Sequence, residues 1–208
     1  DQVRALETQD VKALSSLQIQ AFVTEQLAAL TTDQVRAIDA ADFVGFDTLR
    51  IPALTTDAVA ALSAGQIQKI LPTNIPAFTT DQVVAMPDSL LAALSSDQVG
   101  RLTEAQIQAL TTEQVSNLAP ATLQALSSDQ VSLFETEDIA ALTTSQIGAL
   151  RTTQLSGLTS DQLSAFDDDD VKAIDPSRIG VLTWSQIVGL ATSDIQALSS
   201  AQIGRAHV

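Results

Sequence analysis

An apolar residue stands at every eighth position from Val3 through Val11, Ile19, Leu27 and Val35 to Ile203, without one slip. Three residues after each comes a second: Leu6, Leu14, Phe22, Leu30, Ile38 and onward to Leu198, then Ala206. The 208 residues therefore hold 26 eight-residue words with no insertion or deletion. Such a period decides the architecture before any local preference does, because each unit must bury its apolar face against copies of itself.

The word from Thr31 to Ile38 shows the layout. Thr31 and Gln34 form a capping box, in which each side chain accepts from the other residue's backbone N–H. Asp33 lies in the first helical turn, where the helix dipole favours negative charge. Val35 and Ile38 give the apolar face, and Asp39, itself a good cap residue, starts the next word. Counting the cap as the first position, the fourth is called the box slot below. A single continuous helix is excluded, since at 3.6 residues per turn the apolar stripe would rotate by roughly 80° per word. A β-solenoid needs alternation with period two, whereas the apolar spacing here is three then five. One very short capped helix per word remains. The fold class expected is all-α, a superhelical solenoid of 26 eight-residue repeats, continuous over residues 1–208.

Charge placement agrees. All 25 acidic residues fall in the first four positions of a word, and seven of the ten basic residues fall in the last four. That is the order the helix dipole favours. Pro72, Pro120 and Pro176 take the first helical position, where a missing N–H is harmless. Pro52 and Pro76 come later in their words and are expected to disturb those helices, and Pro87 departs from the pattern at a cap. The position before the second apolar residue is Ala 17 times and Gly three times, which allows close helix approach. The box slot is glutamine in 10 of 13 alternate words and in only 5 of the other 13, which suggests paired 16-residue hairpins with two unlike rows.

Composition narrows the function. A net charge of −15 argues against nucleic acid, which needs a basic footprint, and against an anionic membrane surface. No apolar run approaches the roughly 20 residues that span a bilayer, so membrane insertion is not expected. Cysteine is absent, and His207 is the only histidine, so nucleophilic triads and transition-metal sites lack parts. The run Asp167-Asp168-Asp169-Asp170 offers oxygen ligands of the kind calcium takes, as do Asp39, Asp42 and Asp47 more sparsely. Without EF-hand spacing, an acid-rich helix N-terminus is the better account. Every acid has a repeated place at or near a cap, so no carboxylate pair is marked out for acid–base work; neither an enzyme nor a cofactor is expected. The glutamine rows read as caps, not as a binding ladder.

Two stretches depart from the consensus. Words from Asp39 to Pro87 are irregular, and Arg178–Leu190 places Val181, Trp184 and Val188 where small or polar residues usually stand. These three form a candidate partner patch, unless Trp184 merely packs over a neighbouring helix.

The words TTDQVRAI (31–38), SSDQVGRL (95–102), TEAQIQAL (103–110), TTEQVSNL (111–118) and TTSQIGAL (143–150) resemble octapeptide-repeat tracts of very large exported or surface proteins of proteobacteria, often labelled adhesin-like. The resemblance covers the whole chain and carries no functional residues. It implies an extracellular or cell-surface location; the start at Asp1 and the beginning and end in mid-array point to a fragment of something longer. The expected role is a non-enzymatic spacer or stalk. The alternative is a protein- or peptide-binding solenoid that uses a concave face or the patch around Trp184. Both terminal words carry core-type apolar residues, so self-association through open array ends is also expected.

Overall fold

The computed structural model describes residues 2–205. Among them are 22 α-helices of four to six residues and four 3₁₀ helices, and there is no strand. The helices follow the word count. Thr31 caps the helix Thr32–Ala37: its hydroxyl accepts from the Gln34 N–H at 3.2 Å, and its own N–H donates to Gln34 Oε1 at 2.9 Å. The same box recurs at Ser63/Gln66, Thr79/Gln82, Ser95/Gln98, Thr103/Gln106 and Thr143/Gln146. Where the cap residue has no acceptor, the box slot still serves: Val23 N–H donates to Gln26, Arg151 N–H to Gln154 and Ala191 N–H to Asp194.

Helix exits use no left-handed residue; no described residue has positive φ. At some helices the next residue turns straight into extended backbone and the following cap comes at once, as at Ile38 with ψ 131° or Leu158 with ψ 140°; at others, such as Ala13 with ψ −4° and Ala21 with ψ −11°, it stays in the right-handed helical region. Prolines modulate this. Pro120 and Pro176 begin α-helices. Pro52 and Pro76 interrupt the α pattern as expected, leaving 3₁₀ helices Ile51–Ala53 and Pro72–Ala77. Ala40–Gly45 is also 3₁₀, with no proline; Phe43 and Phe46 stack there with ring centroids 4.7 Å apart.

Packing gathers the chain into two compact units, Asp1–Leu110 and Thr111–Val208, although the eight-residue count runs on without a mark at residue 110. In the first unit Thr8–Lys12 packs on Thr32–Ala37, and Ser16–Gln20 on Ala40–Gly45. In the second, Ser128–Val131 packs on Thr152–Gly157, Thr144–Ala149 on Asp168–Ala173, and Ser160–Leu163 on Trp184–Gly189. Each partner is three words on. Both apolar slots are buried through most of the chain, from Val3 and Val11 to Ile179 and Leu182. Glycine in the small slot permits the closest approaches: a Cβ on Gly157 would stand 2.7 Å from the Ser128 Cβ, and one on Gly189 would stand 2.6 Å from the Ser160 carbonyl oxygen.

Candidate functional site: the box-slot ladder and the Trp184 face

A helix of four to six residues consists almost entirely of ends. Its first four N–H groups and last four carbonyls have no partner within it, so nearly every backbone group needs one from elsewhere. The glutamines supply them in two directions. Oε1 accepts from the N–H of its own cap residue, and Nε2 donates to the carbonyls 31 and 28 residues earlier, which belong to the two apolar positions of the word four before. Gln34 reaches Val3 and Leu6, Gln66 reaches Val35 and Ile38, and Gln98 reaches Ile67 and Ile70, all at 2.7–2.9 Å. Gln82, Gln106, Gln146, Gln154, Gln162, Gln186 and Gln202 do the same. These side chains are buried. One amide therefore joins the start of one helix to the end of another.

Asparagine and arginine in the box slot keep the donor. Asn74 donates to the Phe46 carbonyl, 28 residues back. Arg50 reaches the Gln20 carbonyl, and Arg178 reaches those of Gly148 and Leu150. Arg50 also pairs with Asp47, which caps its word. Burial pushes the Asp47 carboxyl up, but the Arg50 contact and the Leu49 and Arg50 N–H groups outweigh it and hold the carboxyl below its usual range. Asp175 is likewise held low, chiefly by hydrogen bonds from Ser177. Aspartates in the slot reverse the direction: Asp42 accepts from the Ser16 N–H and Asp138 from the Thr112 hydroxyl, each 26 residues earlier, both at 2.8 Å.

The two-row hairpin arrangement is not found. Gln98 and Gln106 stand in opposite rows and make the same pair of carbonyl bonds, and helices pack three words apart instead of in adjacent pairs. Reading the glutamines as caps alone also needs correction, since half of each amide works across the stack.

The acidic run Asp167–Asp170 begins the helix Asp168–Ala173. Asp167 caps it, accepting from the N–H groups of Asp169 and Asp170 at 2.9 Å. Asp170 is buried, and burial pushes its carboxyl up; Asp167, Asp169 and Asp194 add to this, while the Asp167 N–H opposes it. Among the described residues, no group of three or more His, Cys, Asp or Glu is placed to hold a metal ion. His207 lies outside the described residues.

The departures at Arg178–Leu190 come out at the surface. Trp184 is 74% exposed and Val188, one turn on in Trp184–Gly189, is 63% exposed; Val181 is half-buried. Trp184 is therefore not packing over a neighbouring helix.

The ALTTAQ repeat model matches residues 3–39, 91–120 and 131–168, together just over half of the chain. The chain belongs to the ALTTAQ repeat family. Ala29-Leu30-Thr31-Thr32-Asp33-Gln34 and Ala141-Leu142-Thr143-Thr144-Ser145-Gln146 are close variants of that word, which runs from the small and apolar residues of one helix through the cap to the box slot of the next. The ALTTAQ match skips 40–90, where three of the four 3₁₀ helices and Pro52, Pro72, Pro76 and Pro87 occur, and stops before the exposed Trp184. No curated protein matches the chain.

Proposed function

We propose that this ALTTAQ array is a superhelical solenoid, with between three and four words per turn, serving as a spacer or stalk in a large surface-exposed or secreted bacterial protein. One observation carries the reading. The polar side chains that recur through the words bind the chain's own backbone, at spacings of 25–31 residues that bracket one turn. A repeat whose donors and acceptors are matched to itself has length as its product and no chemistry of its own. The lack of cysteine and the acidic balance are both compatible with an exported chain. Among the described residues no helix is long and apolar enough to cross a membrane. Small-angle X-ray scattering tests the spacer: a radius of gyration well above the roughly 17 Å of a compact chain of this length supports it, and a value near that overturns it. Antibody labelling of intact cells that make the full protein tests its location.

A second reading, a protein-binding module, is favoured by the exposed pair Trp184 and Val188. Solvent-facing Trp beside an aliphatic residue is a common anchor at interfaces. Loss of partner binding in Trp184→Ala, with stability unchanged, would favour this reading over the spacer.

A further inference from the structure

Three short elements of the first unit form a stack. The α-helix Thr24–Ala28 packs on the 3₁₀ helix Ile51–Ala53, which packs in turn on the 3₁₀ helix Pro72–Ala77. Pro52 and Pro76 hold the same position of their words, and no other word has proline there. Pro52 leaves only three helical residues against the five of Thr24–Ala28. The space so opened is a shallow groove of about 450 Å³, lined by Thr24, Glu25, Ala28, Leu49, Pro52 and Ala53.

The fold does not ask for Leu49. Its position, two after the cap, holds an acid in 11 of the 26 words and leucine only at Leu17 and Leu49. An acid there gains from the helix dipole, whereas Leu49 forfeits that gain and stands 71% exposed. The exposure belongs to the position, since Asp57, Asp81 and Asp97 share it. Pro52 and Pro76 are exposed as well, so with Leu49 they present an apolar strip across the stack. One charge borders it. Glu25 accepts from the Thr24 hydroxyl at 3.2 Å and has no ion-pair partner among the described residues. Arg50, next to Leu49, brings no free positive charge, because Asp47 and the Gln20 carbonyl engage it.

We infer that this groove receives a basic amphipathic helix of a partner protein. Packed helices lie about 8–10 Å apart, and residues i and i+7 of an α-helix are separated by about 10 Å. A helix laid across the stack therefore seats one apolar side chain beside Leu49 and Pro52 and another beside Pro76. A lysine or arginine one turn before the first meets Glu25. Charge decides against a second copy as the occupant, since it would bring a further −15. Trp184 belongs to the other unit, and the inference rests on neither reading proposed above.

The test is fluorescence anisotropy of a labelled helical peptide of about 18 residues, titrated with the full chain. The peptide is built from leucine and lysine, with leucines at i, i+3, i+4 and i+7, and its control has glutamate for every lysine. The lysine peptide is expected to bind and the glutamate peptide not to. Leu49→Asp installs the residue type common at that position, so the fold is expected to persist, as circular dichroism checks. It should weaken binding about 10-fold or more, the effect of failing to bury one leucine. Glu25→Gln should weaken it about threefold at low salt and leave it unchanged at high salt. The inference is overturned if the lysine peptide does not bind, if Leu49→Asp binds it as tightly as the parent, or if only Trp184→Ala abolishes binding. Self-association of the chain that Leu49→Asp removes, seen by sedimentation, would assign the groove to a second copy and overturn it too.

Discussion

Replacing Gln98 tests the ladder at its centre. This side chain is 1% exposed and makes three bonds: Oε1 accepts from the Ser95 N–H, and Nε2 donates to the carbonyls of Ile67 and Ile70 at 2.7 and 2.8 Å. At about 1 kcal/mol net per hydrogen bond, Gln98→Ala should cost about 3 kcal/mol. Gln98→Glu keeps the size and the cap acceptor but turns a carboxylate oxygen toward two carbonyl oxygens in a buried place. It should cost more at neutral pH, about 4–5 kcal/mol, because a charge is buried without a partner. The introduced carboxyl also titrates. Burial and facing carbonyls raise its folded pKa above the unfolded value of about 4.3. The folded state then holds its proton more tightly, so the variant loses stability as pH rises through that window and regains part of it on acidification. The measurement is urea unfolding followed by far-ultraviolet circular dichroism, with equal slopes required before midpoints are compared. Gln18→Ala is the internal control: Gln18 has a cap bond but no carbonyl pair, and the loss should stay near 1 kcal/mol. The reasoning fails if Gln98→Ala costs no more than Gln18→Ala, or if Gln98→Glu is as stable as the parent at neutral pH and indifferent to acid.

Gly157→Ala should destabilise by about 1–3 kcal/mol in the same assay, since its Cβ would meet Ser128 at 2.7 Å, while Gly65→Ala, with only the Ala40 methyl at 3.7 Å, should be neutral or stabilising by about 0.5–1 kcal/mol. Asp170→Asn should stabilise the chain at neutral pH by about 1 kcal/mol. It removes a buried charge among acids and offers an amide donor, as Asn74 does in the same slot. The parent's Asp170 has a raised folded pKa, so its ionisation opposes folding as pH rises above its unfolded value; the unfolding midpoint of the Asn variant should lose that part of the pH dependence. Trp184→Ala should leave the unfolding midpoint within about 0.5 kcal/mol, as expected of a side chain this exposed.

Much of the local structure could be read from residue types alone. The Thr31/Gln34 box, the acids in first turns and the effect of Pro52 and Pro76 are short-range matters, decided within four residues. What escaped was the second job of Gln34 and its equivalents. A capping box accounts for the carboxamide oxygen, and nothing within the word uses the nitrogen. The signal was nonetheless present. Glutamate completes a capping box as well as glutamine does, yet the box slot holds glutamine 15 times and glutamate never. Arg50 and Arg178 carried the same message, as cations standing early in their words against the dipole preference and as donors to distant carbonyls. Their partners are 28–30 residues away, a distance set by how words stack, which no local rule contains. The exposure of Trp184 was undecided for the same reason: packing over a neighbour and facing solvent look alike until the neighbour is placed.

The ladder also determines how such an array can change length over generations. Each amide spans 31 residues, and glutamine holds the slot in 15 of the 26 words, so a single inserted residue puts about two such amides out of step. Duplicating or deleting a whole word leaves each donor opposite a carbonyl pair of identical layout, because all words share it. Recombination between near-identical words can therefore lengthen or shorten the gene in eight-codon steps that folding tolerates.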